Sequence, residues 1–147
     1  MTGWRIGYTA APTELAAAMS RIQGHTTSNA TSFAQYGAVA ALDGGKDFIK
    51  DLNAEYDVRR QFVLARLNAI PNIKVTEPQG AFYFLVDTEQ LGLKSVNLCD
   101  KLLNRYRVAA VPGIAFGNDY SIRISYCTTL DVLNEGLTRF KEFCKAH

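Results

Sequence analysis

The fold of this chain is decided by the segment KDFIKDLNAEYDVRRQFVLARLNA, residues 46–69. Its apolar residues recur at multiples of three and four positions, and no glycine or proline interrupts it before Pro71. This spacing predicts one continuous α-helix. A helix of that length extends roughly 35 Å, about the width of a small domain. The segment therefore predicts a rod that joins two bodies of structure.

Before the long helix, the sequence predicts two shorter helices and one strand. The strand is expected at Trp4–Thr9, where two glycines bracket an aromatic residue and an arginine. A helix is expected to begin at Pro12, which suits the first turn, and to end at Gly24. The alanine-rich run Ala34–Leu42 predicts the second helix, which the two following glycines end.

After Pro71 the pattern changes to short strands alternating with helices. Alternation and apolar runs predict strands at Ile73–Val75, Ala81–Val86, Val108–Val111 and Ser121–Tyr126. Helices are expected at Ser95–Asn104 and, with Thr129 as N-cap, over the apolar stripe that runs from Leu130 to Cys144. This order indicates an α/β or α+β unit.

Composition excludes several classes of protein. The chain has 147 residues, 48% of them apolar and 20% charged, which is too apolar for a disordered tail. Sixteen basic residues against 14 acidic ones give a net charge of only +2, and no basic stripe indicates nucleic-acid binding. The apolar runs are far shorter than the roughly 20 residues that a membrane helix needs, and we expect no secretory signal at the start.

Cysteine and histidine usage argues against a metal centre or a hydrolytic triad. Three cysteines, an odd number at wide spacing, favour buried reduced thiols in a cytoplasmic protein. His25 is the only internal histidine and has no ligand residues at metal-binding spacing. A Ser/His/Asp triad therefore lacks its base.

Arg123 is the most informative single residue. The period of two in SIRISY, residues 121–126, places Arg123 on a strand face with two serines, opposite the apolar Ile122 and Ile124. Its guanidinium could bind a carboxylate through two parallel hydrogen bonds. The residues alone leave a second interpretation open, an exposed strand arginine without a ligand.

Two other segments are candidates for ligand contact. Arg5, displayed in MTGWRIGY, is suited to an anion such as a phosphate, or it is a surface arginine without a role. The segment VPGIAFG, residues 111–117, could present Phe116 and Gly117 to a substrate, or it could form a plain turn. Asn118, Asp119 and Tyr120 are expected to form a turn only.

Five motifs taken together carry a family resemblance. They are MTGWRIGY (1–8), TSNATSFAQ (27–35), PQGAFY (78–83), VPGIAFG (111–117) and IRIS (122–125), in this order along the chain. The chain closely resembles the C-terminal portion of class I aminotransferases, pyridoxal-phosphate enzymes of fold type I, in the aspartate aminotransferase branch. The resemblance covers essentially the whole chain and implies an α/β fold. Residues 1–47 would be the end of the large cofactor-binding domain, and residues 48–147 the long connecting helix and the small α+β C-terminal domain.

The resemblance also implies roles for individual residues. Arg5 resembles the arginine that pairs with the cofactor phosphate, and Arg123 resembles the one that binds the substrate α-carboxylate. Phe116 and Gly117 resemble part of the active-site loop of the small domain. The family's Schiff-base lysine stands a few positions before the methionine of the first motif, so we expect it upstream of Met1. No catalytic lysine is assigned within the chain, which is expected to be inactive alone.

The function that follows from the resemblance is transfer of an amino group between an amino acid, aspartate by family default, and a 2-oxo acid. Pyridoxal 5'-phosphate would be the cofactor, and the full-length enzyme would be a cytoplasmic homodimer that binds neither nucleic acid nor membrane. Two alternatives remain open. The chain could belong to another fold type I member, such as a synthase, a lyase or an aminotransferase-like regulator, or it could be a non-catalytic dimerisation or binding module.

Overall fold

The computed structural model describes all 147 residues, which form five α-helices and four short strands. The helices are α1 (Thr13–Thr26), α2 (Ser32–Gly44), α3 (Lys46–Asn68), α4 (Ser95–Tyr106) and α5 (Leu130–Lys145). The strands are β1 (Lys74–Val75), β2 (Tyr83–Asp87), β3 (Val111–Pro112) and β4 (Ser121–Ser125). The chain divides into two compact units, Met1–Asp51 and Leu52–His147.

The predicted long helix is confirmed. α3 continues from Lys46 to Asn68 without a break, and the boundary between the two units falls within it. The helix buries Val63 and Leu67, which lie in its second half. The apolar spacing of residues 46–69 therefore predicted this element to within one residue at its C-terminal end.

The first unit consists of helices with almost no buried core. Ala34 is its one fully buried apolar residue. Near the start of the chain the Trp4 ring meets the Phe33 ring edge to face, with 6.1 Å between ring centroids. Gly37 lies against the same indole, where an added Cβ would be 3.0 Å from a ring carbon. This packing fixes the short 3-10 helix Thr2–Trp4 against α2.

Two predictions for this unit are wrong in detail. The strand expected at Trp4–Thr9 is absent, because these residues pair with no other strand and an extended segment needs hydrogen-bonding partners to be a strand. The helix expected to end at Gly24 continues to Thr26. The Thr26 hydroxyl donates to the carbonyl of Ile22 at 3.0 Å and so satisfies a carbonyl of the last turn.

The second unit is built on a four-stranded antiparallel sheet in the order β1-β2-β4-β3. β2 and β4 form the centre, with Leu85 opposite Arg123 and Val86 opposite Ile122. Val86 and Ile122 are fully buried, whereas Leu85 is exposed and Arg123 is partly exposed. The sheet thus has one core face and one open face. The prediction that Arg123 and Ile122 lie on different faces of the sheet is confirmed.

The core of the second unit lies between the core face of the sheet and the helices α3, α4 and α5. Its buried members are Val63, Leu67, Ile70, Phe84, Val86, Leu91, Leu98, Cys99, Leu102, Ile122, Tyr126, Leu133, Leu137, Phe140, Phe143 and Cys144. The strand expected at Val108–Val111 is shorter and later, because only Val111 and Pro112 pair with β4. None of the helices has the length and apolar content needed to cross a bilayer.

Candidate functional site

Arg123 lies at the centre of the open sheet face. β4 places it between Leu85 of β2 and Val111 of β3. Two aromatic rings contact its guanidinium: the Cζ atom is 4.3 Å from the centroid of the Tyr83 ring and 4.5 Å from that of Phe116. Such cation–π contacts stabilise the position of a guanidinium without neutralising its charge.

Arg123 forms no ion pair with a carboxylate of the chain. Five ion pairs are present, and their basic partners are Arg59, Arg60, Lys94 and Arg139. Neither ring contact is a hydrogen bond, so the N–H groups of the guanidinium remain available to an external acceptor. The arrangement can therefore bind a planar carboxylate through two parallel charge-assisted hydrogen bonds.

A short turn delivers Phe116 to this arginine. β3 continues directly into a 3-10 helix, Gly113–Phe116, which ends at Gly117 in the left-handed conformation with φ of 88°. Gly113 is buried, and an added Cβ would lie 2.1 Å from the Ser121 hydroxyl oxygen and 2.4 Å from two backbone oxygens. Only glycine fits there, so the first glycine of VPGIAFG packs the turn against β4 and the second ends it.

The structure thus brings the predicted residues Arg123 and Phe116 together. Gly117 contributes through its backbone, which ends the turn that carries Phe116. Tyr83 was not predicted as a site residue. It belongs to the PQGAFY motif, and its placement follows from the antiparallel register of β2 and β4, in which it lies opposite Ser125. Diagonal neighbours on one sheet face lie within reach of an aromatic ring. Sequence alone could not supply that register.

The segment after Gly117 does more than form the expected turn. Asp119 Oδ1 accepts a hydrogen bond from the Ser95 hydroxyl at 2.8 Å and another from the Ser95 backbone N–H at 3.2 Å. Lys94 Nζ lies 3.4 Å from the other carboxylate oxygen. The Ser95 hydrogen bonds, with a smaller contribution from Lys94, lower the pKa of the Asp119 carboxyl below its usual value. No spacing rule links residues 24 positions apart, so sequence reasoning missed this pair.

Arg5 belongs to the first unit and has a left-handed backbone, with φ of 53°. Its side chain is exposed and bonds only to the Thr2 carbonyl, at 3.4 Å. It borders an open hollow of about 1060 Å³ that Trp4, Tyr8 and Gln35 also line. The Arg5 guanidinium has no carboxylate partner within the chain, and its role at a cofactor phosphate stays a prediction.

The histidines and cysteines form no such site. No group of three or more His, Cys, Asp or Glu side chains is arranged to hold a metal ion. All three cysteines are free. Burial raises the pKa of the Cys99 thiol to about 11 and that of the Cys144 thiol to about 12, which makes both inert as nucleophiles. The expected burial is confirmed for Cys99 and Cys144 and is wrong for Cys127, which is exposed and lies 2.9 Å from the Tyr56 hydroxyl.

Comparison with known proteins identifies the family to which this chain and its fold belong. The sequence profile of the family described as "Aminotransferase class I and II" matches residues 1–140. The chain belongs to that family. The resemblance inferred from the five sequence motifs is therefore confirmed.

Individual relatives agree with this assignment. The chain is 40% identical to the aspartate aminotransferase of Bacillus subtilis over 152 residues, covering 100% of this chain and 39% of that protein. It is 41% identical to a probable aspartate/prephenate aminotransferase of Aquifex aeolicus, covering 97% of this chain and 37% of the relative.

The fold agrees as well. A crystal structure of the aspartate aminotransferase from Rhizobium meliloti matches with a TM-score of 0.87 at 37% identity, over 99% of this chain and 39% of that one. The fold is that of pyridoxal-phosphate aminotransferases of fold type I, as expected. The chain thus spans about two fifths of the length of the relatives it matches.

Proposed function

We propose that this chain forms the substrate-carboxylate-binding part of an aminotransferase that moves an amino group between an amino acid and a 2-oxo acid. The observation that carries the proposal is Arg123, a guanidinium on an open sheet face, contacted by two rings and paired with no carboxylate. Family membership supplies the reaction class. The geometry supports the specific role, since both substrates of such a reaction carry a carboxylate next to the reacting carbon.

Arg123 orients the substrate. Two parallel N–H···O bonds fix the plane of the carboxylate and therefore which bond at Cα faces the reacting group. Phe116 and Tyr83 restrict the rotation of the guanidinium and exclude water from its face. Removal of one partner from a desolvated charge pair of this kind costs about 2 to 5 kcal/mol.

The class I and II aminotransferases are pyridoxal-phosphate enzymes, so the expected cofactor follows from the family. The cofactor's ring, when bound, withdraws electrons from Cα. Within this chain, Arg5 is the residue we assign to its phosphate, because it resembles the phosphate-binding arginine of the family, and its guanidinium is exposed and has no carboxylate partner. Arg5 acts by binding and takes no part in proton transfer.

The remaining assignments follow the same proposal. We assign residues 1–47 to the large domain and residues 48–147 to the small domain and the connecting helix, whose first two residues, from Lys46, fall before this boundary. Aspartate is the default amino donor, and the name of the Aquifex relative adds prephenate as a candidate acceptor. We assign the full-length enzyme to a homodimer in the cytoplasm, where three free cysteines stay reduced. The Schiff-base lysine is assigned to the part of the enzyme that precedes residue 1.

A chimaera tests the carboxylate role. Residues 1–147 replace the matching C-terminal part of the Bacillus subtilis aspartate aminotransferase, and transamination is measured with a panel of amino acids. We expect activity in the chimaera, and we expect Arg123→Ala to lower kcat/KM by about 30-fold or more, the equivalent of the lost charge pair. Arg105→Ala, which removes an exposed α4 arginine, is the control. Equal kcat/KM values for the two variants would contradict the assignment.

The isolated chain gives a second test. We expect no transamination from the 147 residues alone and no stoichiometric attachment of pyridoxal phosphate after borohydride reduction. A trapped adduct at one of the chain's own lysines would show that the proposed position of the Schiff-base lysine is wrong.

A further inference from the structure

The turn that carries Phe116 depends on one buried hydroxyl outside it. Ser95, the first residue of α4, is fully buried. Its Oγ accepts a hydrogen bond from the backbone N–H of Ile114 at 3.3 Å, in the middle of the 3-10 helix Gly113–Phe116. The turn is also held through Asn118, whose N–H donates to the Gly113 carbonyl at 3.1 Å.

Asp119 determines which way this hydroxyl points. A serine hydroxyl has a single proton, and here it is donated to Asp119 Oδ1 at 2.8 Å. With the proton directed to the carboxylate, a lone pair of Ser95 Oγ is directed to Ile114 N–H. The backbone N–H of Ser95 donates to the Asp119 carbonyl at 2.9 Å and to its carboxylate, which keeps the two residues in register.

We propose that Ser95 is a positioning residue for Arg123: its hydroxyl, oriented by the Asp119 carboxylate, holds the Gly113–Phe116 turn, and the turn places the Phe116 ring against the guanidinium. The path contains three contacts, Asp119 to Ser95, Ser95 to Ile114, and Phe116 to Arg123. The functional consequence for a substrate rests on the proposed function, whereas the placement of Arg123 does not.

A purely structural role for the pair is the competing explanation. Asp119 also caps the N-terminus of α4 through the Ser95 N–H, and loss of a cap destabilises a helix wherever it lies. The two roles differ in their effect on Arg123. Loss of a cap lowers global stability, whereas loss of the turn's anchor moves Phe116 away from the guanidinium in a chain that is still folded.

Side-chain NMR of Arg123 separates the two explanations in the 147-residue chain itself. The aromatic rings shift the Arg123 Hδ and Hε signals upfield, and Phe116→Ala shows how far they move when that ring is lost. We expect Ser95→Ala to shift these signals in the same downfield direction. Thr138→Val is the matched control, because it removes a hydroxyl that hydrogen-bonds Arg66 and the Asn134 carbonyl, without contact to the turn.

Asp119→Asn provides a second variant if Ser95→Ala does not fold. The amide keeps the shape of the side chain and removes the charge that orients the hydroxyl, so we expect the same downfield change, smaller in size. Unchanged Arg123 signals in the folded Ser95 or Asp119 variant overturn the proposal. An equal change in Thr138→Val also overturns it, since general loosening then explains the result.

Kinetics in the chimaera keep the two proposals distinguishable. We expect Ser95→Ala to raise the KM for the amino acid about fivefold to tenfold, the equivalent of one hydrogen bond, with a smaller change in kcat. One combination of results separates the two proposals. If Ser95→Ala shifts the Arg123 signals but neither Ser95→Ala nor Arg123→Ala changes the KM, Ser95 does position Arg123. Arg123 then does not bind the substrate carboxylate.

Discussion

The two units of this chain differ in how their helices are stabilised. In Leu52–His147, α3, α4, α5 and the sheet enclose a continuous set of buried apolar side chains. In Met1–Asp51, only Ala34 is buried. The first unit instead leaves its large apolar side chains exposed, namely Met1, Trp4, Tyr8, Leu15, Met19, Ile22, Phe33, Tyr36, Val39, Leu42, Phe48 and Ile49.

This difference shows that an apolar pattern that predicts a helix does not by itself make that helix stable. Isolated helices of the length of α1 and α2 are marginal in water, because most helical stability in proteins comes from packing an apolar face. The second unit has that packing, and the first has exposed apolar surface typical of regions that another surface covers. Arg123, the proposed carboxylate-binding residue, therefore lies on the unit that has a packed core.

Hydrogen exchange should show the largest difference between the two units. We expect amides of α1 and α2 to exchange close to the rate of an unfolded chain, because few tertiary contacts oppose their opening. Amides of α4, α5 and β4 should exchange only through global unfolding of their unit. Mass spectrometry of peptic fragments measures both. Equal protection of α1 and α5 would contradict the contrast.

Core truncation sharpens the comparison. Phe84 is fully buried at the centre of the sheet, and Phe84→Ala should lower the free energy of unfolding of the second unit by about 3 to 5 kcal/mol. Leu15→Ala in α1 is the matched control, since the Leu15 side chain is exposed and its loss should change stability by less than about 0.5 kcal/mol. Urea denaturation followed by circular dichroism gives both values. A cost at Leu15 equal to that at Phe84 would mean that α1 is packed.

Glycine substitutions make the same comparison at the backbone. Gly113→Ala places a Cβ against the backbone oxygens of Asn118 and Ser121, and the overpacking should cost about 1 to 3 kcal/mol. Gly7→Ala is the control in the first unit, where an added Cβ meets nothing within 4 Å. Thermal unfolding measures the pair. Similar melting temperatures for Gly113→Ala and the unsubstituted chain would show that the turn moves without cost.

Alkaline pH should destabilise the second unit alone. Burial raises the pKa of Cys99 and Cys144 from about 9 to about 11 and about 12. Below pH 9 both thiols are neutral whether the unit is folded or unfolded, and above it the unfolded chain ionises first. Stability should therefore fall as the pH rises from about 9 towards 12. Urea midpoints measured across this range test the sign. Cys144→Ala, which removes one of the two thiol ionisations, is the control and should make the fall shallower.

Local pattern predicted most elements, and the errors have physical causes. α3 and α5 have clear apolar periodicity and no internal proline, so their positions follow from neighbouring residues. The prediction of a strand at Trp4–Thr9 was wrong because a strand forms only beside a partner strand. The local sequence does not show whether such a partner is present. The Ser95–Asp119 pair was missed for a related reason, since its two residues are brought together only by the path of the chain through α4 and the turn.

The sequence by itself determined the long helix, the outward face of Arg123 on β4 and, through five motifs, the aminotransferase family. These properties depend on spacing along the chain. Only the tertiary structure decided that Tyr83 and Phe116 both contact Arg123, that Gly113 has no room for a side chain, and that Asp119 orients Ser95. Each of these depends on strand register or turn packing between residues distant in sequence. The competition of many long-range contacts for the same space sets such geometry, and no local pattern encodes it.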